Sequence, residues 1–129
     1  MKKHESIVGE NLPSPIGPYS PGVTFERLIF VSGQGATVPE TGELSGPDAA
    51  TQTEQIFKNM ERILKAAGSG LQHVLRCGVF IVDMRDFAEM NSVYERMMAG
   101  NKPARTTVQV TSLPIVGLRV EIDAIAYVP

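Results

Sequence analysis

The sequence predicts a single α+β domain. Two stretches carry apolar residues at helical spacing, over 48–67 and 86–98, and runs of Val, Ile and Phe with strand character lie before, between and after them. One of those strands, 28–34, is apolar on both faces at its start, so it expects cover on both sides. The predicted order is β-β-α-β-α-β-β, a mixed sheet with two helices packed on one face.

The elements follow in turn. Residues 9–22, "GENLPSPIGPYSPG", are dense in Gly and Pro and read as an irregular loop. "VTFERLIFVSGQ" reads as two short strands broken at Glu26-Arg27, the second running from Leu28 to Gln34. Loop chemistry returns over 35–47, with a turn at Glu40-Thr41-Gly42. Ile56, Met60, Ile63, Leu64 and Ala67 then form an amphipathic stripe, with Asp48 or Thr51 as its N-cap and Gly68 placed just past its end. "HVLRCGVFIV", 73–82, is a strand. The second helix is capped by Asp86 and carries Phe87, Met90, Tyr94, Met97 and Met98 before Gly100 and Pro103 end it. Two strands close the chain, over 105–111 and 118–128. Two helices cover only one face of such a sheet, and a partly apolar face left open points to an oligomer.

Composition narrows the function classes. A chain of 129 residues makes one domain with a substantial core. Net charge is −2 and pI near 5.7, with no basic stripe interleaved with aromatics, so nucleic acid is not the expected partner. The lone Cys77 excludes an intrachain disulfide and fits a reducing compartment. No run suits a membrane span or a secretory signal, so a soluble, cytoplasmic protein is expected. His4 and His73 are too few for a histidine-rich metal site and read as surface or capping residues; no metal is expected. Cys77 reads as a small core filler rather than a nucleophile, for want of a histidine partner.

Three polar residues stand out. Asn91 lies four residues after Phe87 and three before Tyr94, on or beside the apolar stripe, where its amide needs partners; a bond to a loop carbonyl is the first expectation and a ligand the second. Arg105 alternates with Thr107 and Gln109, and Glu121 with Asp123. With the helices on the apolar faces, Arg105 and Glu121 are expected on the side away from the helices, where an oligomer forms. Each alone reads as solvated or ion-paired. Together they could grip a carboxylate and manage a proton.

The stretches "IGPYS" (16–20), "LIFVSGQ" (28–34), "PETGEL" (39–44), "NKPARTTVQV" (101–110) and "VEIDAIA" (120–126) together resemble the Rid family, the reactive-intermediate imine deaminases also called YjgF. The resemblance runs from about residue 12 to 128. It implies a chorismate-mutase-like α+β fold assembled as a homotrimer, with sheets in a central barrel and ligand clefts between subunits. It implies hydrolysis of enamines and imines such as 2-aminoacrylate to 2-oxo acids and ammonia, without a cofactor. By the same resemblance Arg105 holds the substrate carboxylate and Glu121 orients or activates water. Tyr19 and Ser32 line the cleft, and Asn91 holds its wall. Thr107 stands where many deaminase members carry a cysteine, also at the substrate. The segment "IVGLRV" is one residue longer than is common, and "GATV" after Gln34 is less apolar than usual. Ribonuclease or translation-inhibitor labels also occur in the family, and a non-catalytic trimeric binder of small carboxylic acids is a further alternative.

Overall fold

A computed structural model describes residues 2–129. The described chain forms β1 (Glu5–Ser6), β2 (Gly22–Phe25), β3 (Leu28–Gln34), α1 (Ala49–Ala66), β4 (Val74–Ile81), α2 (Phe87–Met98), β5 (Ala104–Gln109) and β6 (Val120–Tyr127). The strands make one mixed sheet in the order β1-β2-β3-β6-β4-β5. Only β4 and β5 run parallel, joined through α2; every other neighbour pair is antiparallel.

The α+β expectation holds, and β3 has the predicted bounds. The short first strand was not expected: it pairs Glu5 with Thr24 and Ser6 with Val23, so the residues just after His4 join the sheet edge. The break at Glu26-Arg27 is the turn between β2 and β3, and Glu26 takes a left-handed backbone there (φ 54°).

Both helices pack on one sheet face. Ile56, Phe57, Met60, Ile63 and Leu64 of α1 and Met90 of α2 are fully buried against Ile29, Val79, Ile81, Val120, Ile122 and Ala126. Asp48, not Thr51, is the N-cap of α1: its carboxylate accepts from the Thr51 N–H and from the Thr51 hydroxyl, both at 2.9 Å. Thr51 lies within the helix. Gly68 sits past the C-terminus with φ 82°, donating to the Lys65 carbonyl while Ser69 donates to that of Leu64, the two bonds of a Schellman stop. Asp86, expected to cap α2, makes no such bond because Arg119 Nε donates to its carboxylate at 2.8 Å. The chain instead enters α2 through a 3-10 turn, Met84–Asp86, capped by Asp83.

The opposite sheet face has no helix on it. Leu28, Phe30 and Val108 stand there 37–40% exposed, beside Glu121 and Asp123 of β6. That open apolar face is the one the strand pattern anticipated.

Candidate active site

Two half-sites occupy opposite faces of the sheet. The first lies at the β5 edge. The register Cys77↔Arg105 across β4 and β5 puts Arg105 on the same side as buried Cys77, facing the helices. Its guanidinium carbon stands 4.8 Å from the Tyr94 ring centre and 5.6 Å from that of Phe87, both on α2. Among the described residues Arg105 has no acidic partner. The expectation that Arg105 and Glu121 share the face away from the helices is therefore overturned. β5 carries Arg, Thr and Gln on one side and Thr and Val on the other, so alternation alone cannot assign its faces. Its pairing with β4 does.

Asn91 joins Arg105 on this side. Its Oδ1 is buried and accepts no hydrogen bond. The Tyr94 hydroxyl is likewise buried; it approaches the Cys77 thiol and the guanidinium without a well-formed hydrogen bond to either. Burial, and then Cys77, raises the Tyr94 pKa, and burial raises that of Cys77, so both stay protonated at neutral pH. Cys77 is thus the inert core residue the sequence suggested. Thr107 is half-buried on the same side of β5 as Arg105, the next such position along the strand.

The second half-site is a cleft of about 310 Å³ that includes Glu121 from the sheet's open face. Tyr19 and Ile16 of the Pro-rich loop, Gly33 near the end of β3, Gly35 just after it, Leu118 and Glu121 line it. The Glu121 carboxyl packs so closely over β3 that a Cβ on Gly33 would lie 2.5 Å from its Oε2. It makes no hydrogen bond or ion pair with a described residue. Burial first, and the neighbouring Asp123 second, raise its pKa, so this carboxyl holds a proton more readily than an ordinary glutamate. Tyr19 is 48% exposed, its hydroxyl accepting from the Ile16 N–H at 3.3 Å. Ser32 lies behind it, its hydroxyl donating to the Ser20 carbonyl at 2.7 Å, and so pins the loop that carries Tyr19.

Two buried amides fix the cleft lip. Asn59 donates to the Gly35 and Thr37 carbonyls, and Gln52 donates to those of Gly46 and Gly117 while accepting from the Arg119 N–H. The sequence reading missed both, since each falls within the helical stripe region without a partner visible in sequence. Gly33 did leave a signal: glycine inside a strand marks close approach of another group.

The structure thus brings Tyr19, Ser32 and Glu121 to one region and Arg105, Asn91 and Thr107 to another. Within one chain, β4 separates β5 from β6, and the two regions face opposite ways. No cluster of three or more His, Cys, Asp or Glu side chains suited to a metal occurs among the described residues.

The comparisons with known proteins agree with this architecture. A family model described as Endoribonuclease L-PSP matches residues 9–128. The chain belongs to the Rid (YjgF) family. A RutC family protein of Pyrococcus horikoshii is 44% identical over 123 residues, covering 95% of this chain and 97% of that protein. The human 2-iminobutanoate/2-iminopropanoate deaminase is 41% identical over 114 residues, covering 88% of this chain and 82% of the human one. Among solved structures, a Rid-family protein of Yersinia pestis superposes with a TM-score of 0.92 at 36% identity, over 97% of this chain and 99% of that one. TdcF of E. coli with bound serine gives 0.89 at 36% identity, over 95% and 98%. No helix among the described residues of this Rid protein is long and apolar enough to cross a membrane.

Proposed function

We propose that the protein hydrolyses small enamine and imine carboxylates, such as 2-aminoacrylate and 2-iminobutanoate, to 2-oxo acids and ammonia. The sites lie between copies of the chain in a homotrimer. The observation that carries this reading is Arg105: a guanidinium laid over two aromatic rings with no acidic partner among the described residues. A structural arginine would be neutralised. A bidentate donor left unpaired suits a carboxylate that comes and goes. Related proteins named as iminobutanoate deaminases, and a neighbour holding serine, which bears the same α-carboxylate, favour that ligand class.

The open sheet face supports the assembly. Its exposed Leu28, Phe30 and Val108 need cover, and a second copy placed there can set its β5 edge against the Glu121 cleft. Arg105, Asn91 and Thr107 then come from one copy, and Tyr19, Ser32 and Glu121 from its neighbour.

The chemistry asks little more than orientation. An enamine first takes a proton at its β-carbon and loses one from its nitrogen to become the imine. Arg105 fixes the plane of the carboxylate, and with it the imine carbon. Water adds its oxygen to that carbon and gives one proton to Glu121, which passes it to the imine nitrogen and leaves a carbinolamine. Glu121 then takes the carbinolamine hydroxyl proton and hands it to the departing nitrogen, its raised pKa suiting it to hold the proton between the two. The C–N bond breaks, ammonia leaves, and the carbonyl of the 2-oxo acid remains. One water is consumed and nothing is oxidised or reduced.

The test couples the protein to a serine or threonine dehydratase and follows 2-oxo acid release. Wild type accelerates release over buffer, and Arg105→Ala loses at least ~100-fold in kcat/KM with its oligomeric state unchanged. No acceleration by wild type would end the deaminase reading.

A further inference from the structure

We propose that Tyr94 is a positioning residue for Arg105, acting through its ring face and not its hydroxyl. The inference rests on the reading of Arg105 as the carboxylate grip, and it explains how an edge-strand arginine is held for that task without an acidic partner.

An arginine on an edge strand is free in many rotamers, and each lost on binding weakens the grip. A carboxylate neighbour would fix it, but would also compete with the substrate for the same N–H edge. An aromatic face attracts the cation while leaving the in-plane N–H groups free. Tyr94 provides that face at 4.8 Å.

The ring is itself immobile. Tyr94 is only 8% exposed and meets Phe57 of α1 edge-to-face, with centres 5.2 Å apart and planes at 85°. Phe57 is fully buried. The chain of contacts runs from the α1 core through Tyr94 to the guanidinium. Phe87 is the second ring but lies farther off, at 5.6 Å, and is 36% exposed, so it is the less fixed of the two. The hydroxyl of Tyr94 comes near the guanidinium without a well-formed hydrogen bond to it, so the ring face is the contact that holds Arg105.

The experiment compares Tyr94→Leu with Tyr94→Phe in the dehydratase-coupled assay, each also in the Arg105→Ala background. Tyr94→Leu raises KM for 2-iminobutanoate about tenfold with kcat within about twofold, as expected for a lost cation–π contact. Tyr94→Phe keeps KM within about twofold of wild type. With Arg105 already alanine, Tyr94→Leu adds nothing to KM, because its effect passes through the missing guanidinium. Equal KM for Tyr94→Leu and wild type, or the same rise with and without Arg105, overturns the proposal. So does a Tyr94→Phe variant as impaired as Tyr94→Leu.

A second readout needs no turnover. The Arg105 Nε–H resonance, assigned by its loss in Arg105→Ala, is shifted upfield by the ring in wild type and Tyr94→Phe and returns to the ordinary arginine position in Tyr94→Leu. An unshifted wild-type resonance refutes the platform. If wild type hydrolyses no imine, the deaminase reading fails while this resonance still decides the role of Tyr94.

Discussion

Replacing Gly33 by alanine should disable the water-handling half of the site while sparing the fold. An alanine Cβ at this position would stand 2.5 Å from Glu121 Oε2, 2.9 Å from Cδ and 3.3 Å from Cγ. Carbon and oxygen in ordinary contact keep ~3.3–3.6 Å, so the carboxylate must retreat by about 1 Å. A displacement of that size at a reacting group costs on the order of 100-fold in rate. Stability changes much less. Gly33 is outside the left-handed region, the atom it meets ends a flexible side chain beside an open cleft, and alanine reduces the freedom of the unfolded chain. The expected outcome is kcat for 2-iminobutanoate lowered ~10- to 100-fold, with the unfolding free energy from the urea melt changed by less than about 1 kcal/mol. Steady-state kinetics of 2-oxo acid release and a urea melt measure the two sides. Activity within twofold of wild type would falsify the placement of Glu121 as the group that orients water.

Two further outcomes follow from the same geometry. Burial and Asp123 raise the Glu121 pKa in the folded chain, so this group favours folding most when protonated, below its ordinary range, and that contribution is lost as pH rises through the raised value. Glu121→Gln should therefore be inactive yet more resistant to urea than wild type at pH 7, with the advantage shrinking towards pH ~4; an advantage that grows on acidification contradicts the raised pKa. Ala99 ends α2 in the left-handed conformation at φ 48°, so Ala99→Gly should stabilise the fold by about 1 kcal/mol with unchanged kinetics, read by thermal unfolding.

Much of this architecture was legible in the sequence because apolar periodicity reports burial directly. Ile56, Met60, Ile63 and Leu64 had to share a helix face, and Val120, Ile122, Ala124 and Ala126 a strand face, and both sets are in the core. The face of Arg105 was not legible. Alternation divides a strand into two sides but names neither, and β5 has no apolar stripe to settle which side meets the helices. Only the pairing of Arg105 with Cys77 does so, and register between distant strands is not written in either one. Asp86 failed as a cap for a similar reason: its partner Arg119 is 33 residues away in the chain. Gly33 and Asn91 were visible as anomalies, a glycine within a strand and an amide on an apolar stripe, but their purpose depended on Glu121 and Arg105.

The division of the site between two sheet faces is the claim on which the account turns, and subunit mixing tests it most directly. Arg105→Ala and Glu121→Gln proteins, each stripped of nearly all activity alone, are unfolded together at equal concentration and refolded. If every site takes Arg105 from one copy and Glu121 from its neighbour, random assembly leaves about a quarter of the sites with both native groups, whatever the ring size. The account predicts recovery of about 25% of wild-type activity in the mixture. Mixed oligomers that form and remain as inactive as their parents would show that the two residues do not meet across copies.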